Sequence, residues 1–161
     1  MGLDMYLDSH HYYGGKYKTH NNKDEYFRHS LEVKGKFAEE NGLSENNISE
    51  IVRNVAYWRK ANAIHGWFVQ NVQDGVDNCQ RHYVTVEQLT SLVNLCKESL
   101  ECLKNKDFDG VYTLLPPTEG FFFGEYNVES EWYRQELEET ISQLEKALKV
   151  PGDSYYYTSS W

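Results

Sequence analysis

The tightest constraint on this chain is a run of apolar residues in its middle whose helical face changes. Ile48, Ile51, Val52 and Val55 recur at helical spacing, and so do Ile64, Trp67, Phe68 and Val72. Projected at about 100° per residue, the two groups fall on nearly opposite faces. Either one long helix is buried on different sides along its length, or the helix breaks near Tyr57-Trp58-Arg59-Lys60. Asn47 followed by Glu50 reads as a capping box that starts this helical region, and Asp74-Gly75 ends it.

The flanking segments complete a mixed architecture. Leu3, Met5 and Leu7 alternate with Asp4, Tyr6 and Asp8, which predicts a half-buried strand over residues 2–8. Gly14-Gly15 marks a turn. A second strand is expected over Ser30–Phe37, and residues 38–47 read as a loop. Thr85 and Gln88 form a second capping box. Behind it Leu89, Leu92, Val93, Cys96, Leu100 and Leu103 make a core stripe. Asp107–Gly110 reads as a turn, and Val111–Leu115 as a short apolar run stopped by Pro116-Pro117. Ser130 caps a further helix with a seam of Leu137, Ile141, Leu144 and Leu148. The segment Tyr155-Tyr156-Tyr157-Thr158-Ser159-Ser160-Trp161 has strand composition, and a tryptophan costs too much to leave wet, so it is expected to dock. The expectation is an α+β fold in a single domain, 1–161: a small N-terminal antiparallel sheet, three to four helices, and a C-terminal strand returning to the sheet.

Charge and composition exclude several functions. Lys and Arg total 16 against 25 Asp and Glu, a formal charge of −9, so duplex nucleic acid and an anionic membrane surface are poor ligands. No stretch approaches the roughly 20 apolar residues of a membrane span, and the opening residues have neither a basic n-region nor a long apolar h-region. Tyr6 stands where N-myristoylation wants Ser or Thr after Gly2. The three cysteines have no framework spacing. Cys96 and Cys102 would point about 240° apart on one helix, which predicts free thiols in a cytoplasmic protein. There is no phosphate-binding loop, no dinucleotide fingerprint, no nucleophile elbow and no HExxH pair. Cys79 and His82 have a C-x-x-H spacing near Asp74 and Asp77, but no second pair completes a metal set, so a polar loop is expected and neither metal nor cofactor is called for.

Three segments together carry a resemblance: the opening MGLDMYL, the central YWRKANAIHGWFVQNVQDGVDNC from Tyr57 to Cys79, and the Gly120–Gly124 aromatic run with the SSW tail. They resemble a family of small uncharacterised proteins of tailed phages and prophages. That resemblance implies a phage setting and the host cytoplasm, and in that setting small accessory proteins often counter host defences, including by holding nucleotide signals.

The residues themselves point to a binding site. On a helix, Trp58, Asn62 and His65 would share a face within about 60°, with Arg59 and Lys60 beside them. A helix restarting near residue 59 would add free amides to these two cations, making an anion site. Trp58 or Tyr57 would stack on a base, and Asn62 and His65 would read its hydrogen-bonding edges. Phe121, Phe122 and Phe123, bounded by glycines, would form a pocket wall. The bland alternative places Trp58 and His65 in the core, Arg59 and Lys60 against surface carboxylates, and the phenylalanines in a short buried strand. The leading expectation is a non-catalytic module that sequesters a small phosphorylated or nucleotide-derived ligand. A homodimer joined through the Tyr-rich tail is a further expectation. One alternative is direct inhibition of a host protein through an acidic, Tyr-rich surface; a third is a small hydrolase with His65 as general base.

Overall fold

A computed structural model describes residues 2–12, 35–44, 48, 50–118 and 127–161. Among these the chain forms β1 (Asp4–Tyr12), α1 (Lys36–Glu40), β2 (Glu50–Arg59), α2 (Asn62–Asn71), β3 (His82–Val84), α3 (Val86–Lys104), α4 (Phe108–Leu114), α5 (Glu131–Lys149) and β4 (Ser154–Ser160). The strands make one antiparallel sheet in the order β2-β1-β4-β3. The α+β expectation therefore stands, with the C-terminal strand between β1 and β3.

Two compact units divide these residues: those up to Ser9 with Arg53–Trp161, and His10–Val52. In the smaller unit His10 is buried and its Nδ1 bonds the Glu50 carboxylate. Its helix α1 buries Ala38 and leaves Phe37 exposed. The expected strand Ser30–Phe37 is thus corrected at its end, because Gly35 takes φ of 103° and the chain turns into α1. The expected loop from residue 38 begins only after Glu40. Residues 30–34, the Gly14-Gly15 turn and Asn47 lie outside the described residues.

The larger unit holds the core. Leu3 just before β1, and Met5, Leu7 and Ser9 on it, are buried and Tyr6 is exposed, the alternation the sequence shows. The helical reading of Ile48–Val55 is overturned. Glu50–Arg59 is a strand in which Ala56 and Trp58 turn inward while Tyr57 and Arg59 turn outward. Ile51 and Val52 are exposed, so their three- and four-residue spacing marks no buried face. β-branched residues with a tryptophan suit a pleated surface, and pairing with β1 satisfies their backbone. Helix and strand meet at Lys60, whose φ of 58° reverses the chain and whose amide donates to Leu3 O at 2.8 Å. The break expected near residues 57–61 is real; what precedes it is strand.

The later helices follow their caps. Thr85 accepts from the Gln88 amide at 3.1 Å while Gln88 Oε1 accepts from the Thr85 amide at 2.9 Å. Asp107, expected in a turn, instead caps α4 by accepting from the Gly110 amide, and the apolar run from Val111 is helical with Val111 and Leu115 buried. Ser130 caps α5 at the Tyr133 amide. α3 packs against α4 and α5. Along the outer strand of the sheet, α5 contributes Gln143, whose Oε1 accepts the Tyr57 amide at 2.8 Å, so the edge of β2 is covered there rather than left open. No helix among the described residues is long and apolar enough to cross a membrane.

Candidate functional site

α2 carries the polar residues that the sequence singles out, and the fold buries them. Seven of its ten residues are buried, among them Asn62 and His65. Strand and helix are joined through the turn at Lys60, so Trp58 does not share a helical face with Asn62 and His65. Trp58 is only 4% exposed. Its indole N–H donates to Thr140 Oγ1 at 2.9 Å, and its ring lies 5.8 Å from that of Phe68. The expected stacking platform is therefore a core side chain with its polar atom satisfied from α5.

The expected anion notch does not assemble. α2 begins at Asn62, three residues later than the notch requires, and the Asn62 amide donates to Lys60 O at 3.0 Å. Arg59 at the end of β2 and Lys60 on the turn before the helix are both exposed. Tyr57 lies on the outer face of the sheet, 5.3 Å from the Tyr6 ring, and its hydroxyl donates to Asp4. That hydrogen bond, above all, raises the Tyr57 phenol. Phe121, Phe122 and Phe123 lie outside the described residues.

His65 is the expected site residue that does reach a cavity. A cleft of about 370 Å³ runs between α2 and the segment Leu114–Thr118. Its apolar wall includes Trp67, Leu115, Pro116 and Pro117; its polar groups include His65, Gln70, Asn71, Asp77 and Thr118. Gly66 lets the Thr118 side chain lie against α2, because an added Cβ there would sit 2.0 Å from Thr118 Oγ1. No Lys or Arg is among the described lining residues.

Polar groups from outside α2 surround His65. Its Nδ1 is 2.7 Å from the Tyr157 hydroxyl, and its Nε2 is 3.1 Å from Asp77 Oδ2, in ion-pair range but bent off a straight hydrogen bond. Tyr157 in turn stacks on Phe68, ring centroids 3.9 Å apart and nearly parallel at 7°. Burial, and after it the charge of Asp77, holds the Tyr157 phenol far above its ordinary value. The phenol is therefore neutral and serves as a hydrogen-bonding group, not a nucleophile.

Asp77, which lines the cleft, is a position that sequence reasoning assigned only to a weak metal set. The signal was the Asp74-Gly75 pair: both take positive φ, 53° and 77°, and the Gly75 amide donates to Val69 O at 2.8 Å. That reversal folds the loop back along α2 and brings Asp77 to His65. Cys79 is exposed, while His82 Nε2 bonds Asn78 Oδ1 at 2.8 Å. The loop is thus organised by hydrogen bonds through Asn78. All three cysteines are free. Comparison of the chain with protein-family models, with curated proteins and with solved structures gives no match.

Proposed function

We propose that this protein is a binding module that holds a small planar ligand, of about nucleobase size, in the α2 cleft without transforming it. One observation carries the reading. A cavity of about 370 Å³ combines an apolar wall of Trp67, Pro116 and Pro117 with a few convergent polar groups. That is the size and make-up of sites that bind small molecules, which start near 300 Å³. The wall supplies contact area to a ring, and Gln70, Asp77 and Thr118 supply orientation.

The same geometry argues against catalysis by His65. Its Nδ1 bonds the Tyr157 hydroxyl and its Nε2 faces the Asp77 carboxylate at 3.1 Å, within a residue that is itself fully buried. A general base needs a nitrogen within reach of the substrate proton. The phosphate half of the expected ligand loses its support, since Arg59 and Lys60 are not among the lining residues. What remains of a nucleotide-derived ligand is its base. In the phage setting that the resemblance implies, retention without turnover amounts to sequestration.

The test is a thermal-shift and calorimetric panel of nucleobases, nucleosides and their phosphates against the wild type and Gln70→Trp. Gln70 is exposed at the cleft, so the larger side chain fills the opening without entering the core. At a ligand concentration of 100 Kd the wild type gains about 2.7 kcal/mol of stability. Gln70→Trp gains nothing, and the ligand is recovered unchanged from the heated complex. A panel with no stabilising member, or equal stabilisation of Gln70→Trp, overturns the reading.

A further inference from the structure

From the surroundings of Asp77 we infer the chemical class of the ligand: a group that presents two parallel N–H donors, as an alkylguanidinium or the N1–H and 2-amino edge of guanine does. The inference rests on the binding-module reading and adds a recognition element to it.

The carboxylate is placed on its protein side by one hydrogen bond and one close polar contact. Oδ1 accepts from Trp161 Nε1 at 3.2 Å, and Oδ2 faces His65 Nε2 at 3.1 Å. An ionised carboxylate has about four acceptor positions, so each oxygen keeps capacity after these contacts. The side chain is 35% exposed and lines the cleft. Its remaining acceptor positions therefore serve whatever occupies the cavity. Two oxygens accepting side by side match a fork of two N–H groups, the strongest and most directional neutral-to-charged or charge-paired arrangement available to a carboxylate.

Hydrogen bonds within the protein hold the loop that carries Asp77. Asn78 O accepts from Gln73 Nε2 at 3.1 Å and from Ser159 Oγ at 3.4 Å. Asn78 Oδ1 accepts from the Gln80 amide at 2.9 Å. Such preorganisation lets the carboxylate discriminate without first losing loop entropy. The charge of the cleft points the same way. Asp77 supplies a negative charge and no described lining residue is Lys or Arg, so a donor fork is attracted while a bare phosphate is repelled.

Two pairs of probes separate the sources of this chemistry in the full chain. Guanosine is compared with inosine, which lacks the 2-amino donor, and butylguanidine with butylamine, which keeps a positive charge but loses the fork. Affinity is read by calorimetry for the wild type, Asp77→Asn and Gln70→Trp. In at least one pair the forked member binds about tenfold or more tightly than its analogue. Asp77→Asn removes that preference, and Gln70→Trp removes binding of both members. The pair that shows the preference identifies the source. Should Asp77→Asn fail to fold, the two wild-type comparisons decide alone. If both members of each pair bind the wild type equally, or if Asp77→Asn keeps the preference, the assignment to Asp77 is overturned. In that event a Gln70→Trp-sensitive ligand from the wider panel leaves the binding-module reading standing. If no ligand is sensitive to Gln70→Trp, both readings fall.

Discussion

α5 and α2 are both helices of the same core, and they carry their polar residues in opposite ways. α5 buries Tyr133, Leu137, Thr140, Leu144 and Ala147 along one stripe and turns Glu131, Glu138 and Glu139 outward. These carboxylates meet water, and its N-terminus is capped by its own Ser130. α2 buries Asn62 and His65 with Ile64, Phe68 and Val69, and has no side-chain cap. An amphipathic helix declares which side faces its neighbours. A helix enclosed on most sides does not, and its polar residues mimic a binding constellation until their partners are known. Here those partners come from outside the helix: Tyr157, 92 positions away, and Asp77 on the loop after it, for His65.

The largest effect that sharpens this contrast is expected at Phe68. The ring is fully buried, stacked on Tyr157, and 5.2 Å from the Trp67 ring in an edge arrangement. Phe68→Ala removes the contact shared by α2 and β4, and about 3–5 kcal/mol of stability is expected to go with it, read by urea unfolding. A loss below about 1 kcal/mol would mean that α2 is less enclosed than its burial states.

The contrast also explains what the sequence made legible. The Thr85–Gln88 capping box, the α5 seam and the alternation of Leu3, Met5 and Leu7 were readable because each is set by neighbours within a few residues. The strand at Glu50–Arg59 was missed because Ile48, Ile51, Val52 and Val55 fit a helical period by spacing alone. Whether such residues pair with β1 is decided by the rest of the sheet, which local pattern does not contain. The stacking platform was misread for the same reason. Trp58 looked like a platform because Thr140, its hydrogen-bond partner, lies 82 positions away. Asp77 was visible only as one carboxylate among many, since the turn at Asp74-Gly75 marks a reversal but not its destination.

Alkaline titration extends the comparison to the buried acids. Burial, and secondarily the charge of Glu136, pushes the Cys96 thiol of α3 up to about 12 from its ordinary 9.0. Burial likewise raises the phenols of Tyr133 on α5 and Tyr157 on β4 above their ordinary 10.0. In each case the folded state keeps a proton that the unfolded chain releases. Their contribution is complete below pH 9 and is lost as pH rises through the folded values. The unfolding free energy from urea titration is expected to fall steadily above pH 9, by up to about 1.4 kcal/mol per pH unit for each group that ionises in the unfolded chain. Cys96→Ala makes the fall shallower at its onset, because the thiol is the first of the three to ionise when unfolded. A flat profile to about pH 11 would show that these groups are solvated and the enclosed core is not as drawn.

The smallest effect belongs to the bulkiest side chain of α5. Trp132 is 81% exposed, directly after Glu131 on the first turn and on the side away from the buried stripe. A tryptophan that buries so little surface contributes little to folding, so Trp132→Ala is expected to change stability by less than about 0.5 kcal/mol. A loss of more than about 1 kcal/mol would break the comparison, since α5 would then use its outer face as α2 uses its inner one. The small expected effect gives the variant a second use. An exposed tryptophan beside acidic residues is the feature that inhibition of a host protein would employ, because buried aromatic anchors carry much of the energy of protein interfaces. With the fold intact, Trp132→Ala isolates that surface from the cleft: it leaves ligand-induced stabilisation unchanged if the α2 cleft is the working site.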